Sequence, residues 1–266
     1  MKVFIHTDLE GICSFYDWAE ADIPTSRGIA YTKEILTQEV NAAIEGICSV
    51  EPEAIIVVED GHLGGYGGPN ILAEKLHRQA ELVNGRYHRH LSTIDSSFDL
   101  AMLVGAHSMA GTACGQMNHT FSKETIYNVL LNGEPVGEIG VCAALAGYYG
   151  IPLAMVAGDY WAVKEAEQLL GNVQTAAVKK GLNSFCAQNL HPEAARDLIR
   201  EAAQEAVTNK HLFKPYSLQG RIEVQIDYFH TELADEAERK NNAIRVGSRS
   251  VMYEGDDVRQ LFSHCF

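Results

Sequence analysis

Residues 54–62 read AIIVVEDGH, five apolar residues that pass directly into acidic ones. A short and wholly apolar run is typical of a strand buried on both faces of a parallel sheet. Residues 100–104 and 152–157 form two further runs of this kind, and residues 2–7 predict another strand. The chain therefore contains several strands of a buried sheet.

Helical patterns lie between these strands. Residues 27–50 carry apolar side chains at helical spacing, and residues 137–149 and 161–170 predict two more helices. Alternating strands and helices predict an α/β fold, with a largely parallel sheet covered by helices. The pattern changes near residue 190. We therefore expect a catalytic α/β metal-binding domain over residues 1–190 and a smaller α+β C-terminal lobe over residues 191–266, with a single domain as the alternative.

Composition excludes several classes of partner. The chain has 266 residues, a net charge of −14 and no run of Lys or Arg longer than two residues, which disfavours nucleic acid and anionic membrane surfaces. No segment approaches the roughly 20 apolar residues of a membrane span. The six cysteines form no CxxC pair, as expected of reduced thiols. We expect a cytoplasmic protein.

Residues able to bind a metal follow several of the predicted strands. In an open α/β sheet, ligands bind beyond the carboxyl ends of the strands, so side chains far apart in sequence converge there. Carboxylates and imidazoles together suit zinc, with Mn²⁺ or another divalent metal as the alternative. The candidate ligands are Asp8, Glu10, His62, His107 and Glu138.

Two other chemistries are less well supported. The glycine-rich stretch 64–68 lacks the Lys-Ser/Thr of a P-loop, so a flexible loop beside the site is the better interpretation. Cys114 lies between two candidate histidines, but no positive neighbour in the sequence would lower the pKa of its thiol. A phosphate cradle and a cysteine nucleophile are therefore both disfavoured.

Five short motifs succeed one another along the chain: Asp8-Leu9-Glu10-Gly11, Asp60-Gly61-His62, Gly105-Ala106-His107, Asn118-His119 and Pro135-Val136-Gly137-Glu138. Their content, order and spacing resemble the zinc-dependent D-aminopeptidases associated with bacterial dipeptide-transport operons. The resemblance is dense to about residue 180 and thin afterwards. It implies two zinc ions per chain, with Asp8 bridging them. Glu10 and His107 would complete the shell of one ion, and His62 and Glu138 that of the other.

The same resemblance implies an activity and an assembly. His119 falls where the family has its catalytic histidine, proposed as nucleophile or base. The substrates would be short peptides or amino-acid amides, with D-residues at the N-terminus. Two metals can activate water and polarise a carbonyl, and a histidine can accept and return a proton near neutral pH. The family forms a ring-shaped homo-oligomer, a decamer of stacked pentamers whose active sites face an inner channel.

One position departs from the family. His6 stands where a serine is usual, on the same strand face as Asp8. It could donate a hydrogen bond to a ligand, serve as an additional ligand, or pack beside the site. Two other functions stay open: a dinuclear amidase or phosphoesterase acting on another small substrate, and a non-catalytic oligomer that binds metal or peptide. The phosphoesterase is disfavoured because cations are scarce around the motifs.

Overall fold

A seven-stranded sheet lies at the centre of the chain, in a computed structural model that describes residues 1–18, 27–62, 69–85, 91, 93–241 and 243–265. The strand order is β3-β2-β1-β4-β7-β8-β9. All neighbours pair in parallel except β8 and β9, which form an antiparallel edge. The strands are β1 (Lys2–Thr7), β2 (Ile55–Asp60), β3 (Ala80–Val83), β4 (Leu100–Ala106), β7 (Leu153–Asp159), β8 (Gln174–Asn183) and β9 (Cys186–Asn189).

Helices cover both faces of this sheet, because alternate side chains of each strand point to opposite sides. Val3 and Ile5 share one core with α1 and α4, whereas Phe4 faces a second core with α2 and α3. Strands β4 and β7 are buried along their whole length, as their apolar sequences predict. The four helices are α1 (Arg27–Val50), α2 (Glu138–Tyr148), α3 (Tyr160–Leu170) and α4 (Pro192–Thr208).

A second, antiparallel sheet packs on the α2 side, in the order β11-β12-β10-β5-β6. The turn of its first hairpin is Asn132-Gly133, with φ of 52° and 86°, values that glycine and asparagine adopt readily. Its strands are β5 (Ile126–Leu131), β6 (Glu134–Pro135), β10 (Ile222–Tyr228), β11 (Ile244–Arg245) and β12 (Ser250–Gly255). The remaining helices are α5 (Thr231–Asn241), α6 (Val258–Cys265) and a 3-10 turn (Lys210–Leu212).

The predicted fold class is confirmed, but several elements are not where the sequence suggested. Strands β3, β8 and β9 escaped prediction because they are partly exposed and carry no apolar run. A turn at Gly247 separates β11 from β12. The predicted loop at 64–68 lies outside the described residues. Among the described helices, none is long and apolar enough to cross a membrane.

The two sheets do not divide at residue 190. Strand β5 precedes that position and pairs both with β6 and with β10, which follows it. Helix α4 also follows residue 190, yet its side chains share a core with α1 and β1. The two-domain division therefore stays a prediction. A boundary at residue 190 would separate strands of the antiparallel sheet and would also separate α4 from the core that it shares with α1 and β1.

Candidate metal centre and active site

The carboxyl ends of β1, β2 and β4 meet at one edge of the central sheet. Thr7 pairs with Asp60 on one side and with Val104 on the other. The contact with β4 continues past the strands, because the Asp8 amide donates to the Val104 carbonyl at 2.8 Å. The three loops that leave this edge carry four of the predicted ligands.

Two glycines allow the loops after β1 and β4 to touch. A Cβ on Gly105 would lie 1.9 Å from the Asp8 carbonyl oxygen, and the φ of Gly105 is +89°. A Cβ on Gly11 would lie 1.9 Å from the Ala106 carbonyl oxygen. No other residue fits at either position without displacing backbone. The glycines of these two motifs are thus required by the close approach of the loops.

Asp8 and Glu10 face His62 on one side of the site. The Nδ1 atom of His62 lies 3.0 Å from the Oε2 atom of Glu10 and 3.3 Å from the Oδ1 atom of Asp8. All three side chains are at most 15% exposed. This half of the site can offer two carboxylate oxygens and one imidazole nitrogen to a cation.

The other oxygen of Asp8 faces a second histidine. The Nε2 atom of His107 lies 3.2 Å from the Oδ2 atom of Asp8 and 3.3 Å from the Oε1 atom of Glu138. All five candidate ligands therefore converge, with Asp8 between two histidines. Of the two outer carboxylates, Glu10 contacts His62 and Glu138 contacts His107. The alternative set of Asp8, Glu10 and His107 also keeps its donor atoms within 4.8 Å of one another.

The donor atoms are oriented as a metal site requires. The Nδ1 atom of His107 lies 3.0 Å from the Ser108 carbonyl oxygen, to which it can donate, and this leaves Nε2 as the metal-facing nitrogen. That Nε2 atom lies 3.2 Å from Asp8, and the Oε2 atom of Glu10 lies 3.0 Å from His62, so the nearest polar neighbours of both buried atoms are other candidate ligands. A bound cation would fit among these donor atoms.

The electrostatics of the cluster also favour a cation. Burial raises the pKa of Asp8, and the neighbouring charge of Glu10 raises it further. Burial opposes ionisation of Glu10 too, but the charge and hydrogen bond of His62 hold its pKa well below the usual value. Burial lowers the pKa of His107, yet Glu138 and Asp8 outweigh it and raise this pKa to about 10. Nearby positive charge would therefore stabilise the three ionised carboxylates, and bound divalent ions would supply it.

His119 lies against the second half of the site. Its ring stacks on that of His107 with centroids 4.0 Å apart, and its Nε2 atom is 3.8 Å from the Oε1 atom of Glu138. Its Nδ1 atom is 2.9 Å from the carbonyl oxygen of Met117. Met117 is buried and has a φ of +53°, and this turn directs the imidazole into the site. With His107 and Glu138, His119 could also contribute to a ligand set.

The Asp60-Gly61-His62 motif contains a structural aspartate that the sequence did not separate from the ligands. Asp60 accepts from the backbone amide of Asn70 at 2.6 Å and from its side-chain amide at 2.9 Å. The same Asn70 side chain donates to the His62 carbonyl. Asp60 therefore fixes the backbone on which His62 stands, a role that follows from the fold and not from the motif.

His6 packs beneath the second ligand loop. A Cβ on Gly61 would lie 2.2 Å from the Cε1 atom of His6, so the imidazole occupies the space that a larger residue would need. His6 also lines a small cavity together with Asp8, His107 and Glu138. Of the three roles considered, packing beside the site has direct support.

Two supporting side chains were missed by the sequence analysis. The indole Nε1 of Trp18 donates to the Oε1 atom of Glu10 at 2.8 Å, and its ring meets the ring of His119 edge-on at 5.6 Å. Lys179 is 2% exposed and donates to the carbonyl oxygens of Glu10 and Phe15. Lys179 belongs to the stretch that resembled the family, but no spacing rule assigns a role to either residue.

The whole chain is similar to proteins of known activity. Residues 1–265 match the model of the peptidase M55 family, described as D-aminopeptidase. A D-aminopeptidase of Bacillus subtilis (strain 168) is 33% identical over 268 residues, covering 98% of this chain and 94% of that protein. The solved structure of the Zn-dependent D-aminopeptidase DppA from Bacillus subtilis, a self-compartmentalizing protease, has a TM-score of 0.92 and 30% identity. It covers 100% of this chain and 95% of that chain.

Proposed function

Because this chain belongs to the peptidase M55 family of D-aminopeptidases and is a metallo-aminopeptidase, we propose that it uses two zinc ions to release N-terminal D-residues from short peptides and amino-acid amides. The zinc dependence of a relative that covers the whole chain supports the choice of metal. The donor set of carboxylates and imidazoles supports it independently.

The observation that carries this proposal is the position of Asp8 between two histidines. Its Oδ1 atom faces His62, and its Oδ2 atom faces His107, as a bridging carboxylate requires. Glu10 and His62 would hold one ion, and Glu138 and His107 would hold the other, with Asp8 shared between them. The short contacts of each carboxylate with its own histidine favour this pairing over the one that the family resemblance implied.

The ions, when bound, would lower the pKa of a water molecule and polarise the scissile carbonyl. His119 is placed to move the proton that this reaction releases. If its Nδ1 atom donates to the Met117 carbonyl, the Nε2 atom on the site side carries the lone pair. This nitrogen can accept a proton from the attacking water and return it to the leaving amine. We therefore favour His119 as a general base over direct attack by its imidazole.

We also propose a homo-oligomer, in the form of a ring that encloses the active sites. The self-compartmentalizing behaviour of the solved relative supports this assembly. Several large apolar side chains are exposed on the single chain, as expected where subunits meet. Tyr127 at 57%, Ile55 at 53% and Leu212 at 51% are among them.

The test is zinc-dependent hydrolysis of paired D- and L-alaninamides by the purified protein. We expect cleavage of the D-amide to exceed that of the L-amide, to stop on chelation and to return with zinc. His119→Ala should lower kcat by about 100-fold or more while zinc stays bound, whereas the exposed His191→Ala should change neither quantity. A chain that binds zinc but cleaves neither amide would contradict the proposal and support the non-catalytic alternative.

A further inference from the structure

An aromatic pair stands beside the proposed catalytic histidine, in a position where substrate would pass. Trp18 contacts Glu10 through its indole nitrogen and His119 through its ring edge. The ring of Phe185, which is 62% exposed, lies 6.5 Å from the ring of Trp18 at an angle of 84°. Trp18 and Phe185 thus form an apolar wall that begins at the metal ligands and ends in solvent.

A lysine lies on this wall. The Nζ atom of Lys123 is 4.1 Å from the centroid of the Trp18 ring, and Lys123 is exposed. A cation–π contact at an exposed position is weak, so the ammonium group can exchange it for an anionic partner. Because Trp18 also binds Glu10, the contact fixes the distance of this cation from the metal centre to about one indole ring.

Lys123 supplies a positive charge beside the site on a chain whose net charge is −14. A local cation of this kind favours an anionic substrate group at this position. Lys179 also lies near Glu10, but it is buried and its ammonium group is held by two carbonyl oxygens. Lys123 is the one of these two lysines that faces solvent.

We propose that Trp18, Phe185 and Lys123 form the subsite for the residue that follows the cleaved bond, and that Lys123 pairs with its free C-terminal carboxylate. This inference rests on the proposed aminopeptidase function. One residue spans at most about 3.5 Å, so the carboxylate of a dipeptide ends close to the metal centre, whereas that of a longer peptide ends farther out. The preferred substrates are therefore dipeptides with an unblocked C-terminus, whose second side chain lies on the aromatic wall.

The test is the ratio of kcat/KM for a D-alanyl dipeptide to that for the same dipeptide amidated at its C-terminus. The wild-type ratio should be about 2 to 5, mainly through KM, as expected of one exposed ion pair. Lys123→Ala should reduce the ratio to about 1, Lys123→Glu should reduce it further, and Lys123→Arg should retain most of it. The exposed Lys214 provides a matched control, and Lys214→Ala should leave the ratio unchanged.

A wild-type ratio near 1, or a ratio that Lys123→Ala leaves intact, would overturn the subsite. D-alaninamide, which has no second residue, separates this failure from failure of the proposed function. If the wild-type protein cleaves D-alaninamide but cleaves the free and the amidated dipeptide with equal kcat/KM, only the subsite is wrong. If it cleaves none of the three substrates, the aminopeptidase proposal is wrong as well.

Discussion

The two carboxylates on either side of Asp8 are held in different ways. Glu10 is 1% exposed and stands on a loop whose backbone is bound by buried polar side chains. Glu138 is 17% exposed, is the first residue of α2, and accepts the backbone amide of Phe121 at 2.7 Å. The helix N-terminus favours its negative charge. Glu10 thus lies in the closed part of the site, and Glu138 in the part open to substrate and close to His119.

The loop of Glu10 is held by a network of buried polar contacts that no sequence pattern predicts. Lys179 binds the Glu10 and Phe15 carbonyl oxygens, and Glu39 accepts the amide of Cys13 at 2.9 Å. Burying an ammonium group and a carboxylate destabilises the folded state by desolvation, even when both groups are hydrogen-bonded. We infer that this network keeps the loop in one conformation while Glu10 binds a cation.

The largest expected effect is on zinc affinity when each carboxylate is neutralised in turn. Glu10→Gln should lower the affinity for the more tightly bound zinc by at least about 100-fold, because the closed half cannot rearrange to replace the lost charge. Glu138→Gln should lower it by about 10-fold at most, because the open half can recruit water or His119. Chelator competition measures both. Equal losses of zinc affinity in the two variants would contradict the proposed difference between the closed and the open half of the site.

Removing the buried cation should have the next largest effect. Lys179→Met leaves two carbonyl oxygens without a donor, and each buried unsatisfied group costs about 1–3 kcal/mol. We expect the metal-free protein to lose about 3 kcal/mol of unfolding free energy and zinc binding to weaken about 10-fold. Urea unfolding and chelator competition measure the two changes.

Lys180 provides the control, because it is exposed and adjacent in sequence. Lys180→Met should alter neither stability nor zinc binding beyond a few tenths of a kcal/mol. A Lys179→Met protein that is destabilised but binds zinc with unchanged affinity would show that the network supports the fold alone.

The buried Glu39 should make stability depend on pH. Burial raises the pKa of its carboxyl group from 4.5 to about 7. The folded state therefore holds a proton that the unfolded state releases, so the stabilisation from this group is complete below about pH 4.5 and is lost as pH rises through 7. Relative to Glu39→Gln, the metal-free wild-type protein should lose about 2 kcal/mol between pH 5 and pH 8. Parallel pH curves for the two proteins would contradict this.

The smallest expected effect concerns the indole of Trp18. Trp18→Phe keeps an aromatic ring but removes the donor to Glu10, and the net contribution of one hydrogen bond to a charged group is about 1.5–3 kcal/mol. Partial exposure reduces this, so we expect a 3- to 10-fold loss of zinc affinity. Trp161→Phe, which removes an indole bond to the Gly181 carbonyl, is the matched control and should leave zinc affinity within twofold. Equal losses in the two variants would argue against a specific contact with Glu10.

The sequence predicted the four adjacent strands β2, β1, β4 and β7 of the central sheet, but neither its edge strands nor the residues that support the site. Buried parallel strands such as β4 and β7 leave continuous apolar runs, and the carboxyl ends of such strands must meet. That rule is sufficient to bring Asp8, His62 and His107 together. The contacts of Trp18 and Lys179 depend instead on how loops and an edge strand fold back on the sheet. No periodicity records such contacts, and strand β8 itself escaped prediction.

The bridging role of Asp8 is the central claim, and zinc stoichiometry tests it most directly. Native mass spectrometry of the wild-type protein and of Asp8→Asn, reconstituted with equal zinc, should show two ions per chain in the first and fewer than one in the second. The reason is that both halves of the site share this carboxylate. An Asp8→Asn protein that keeps two zinc ions and its activity would contradict the account.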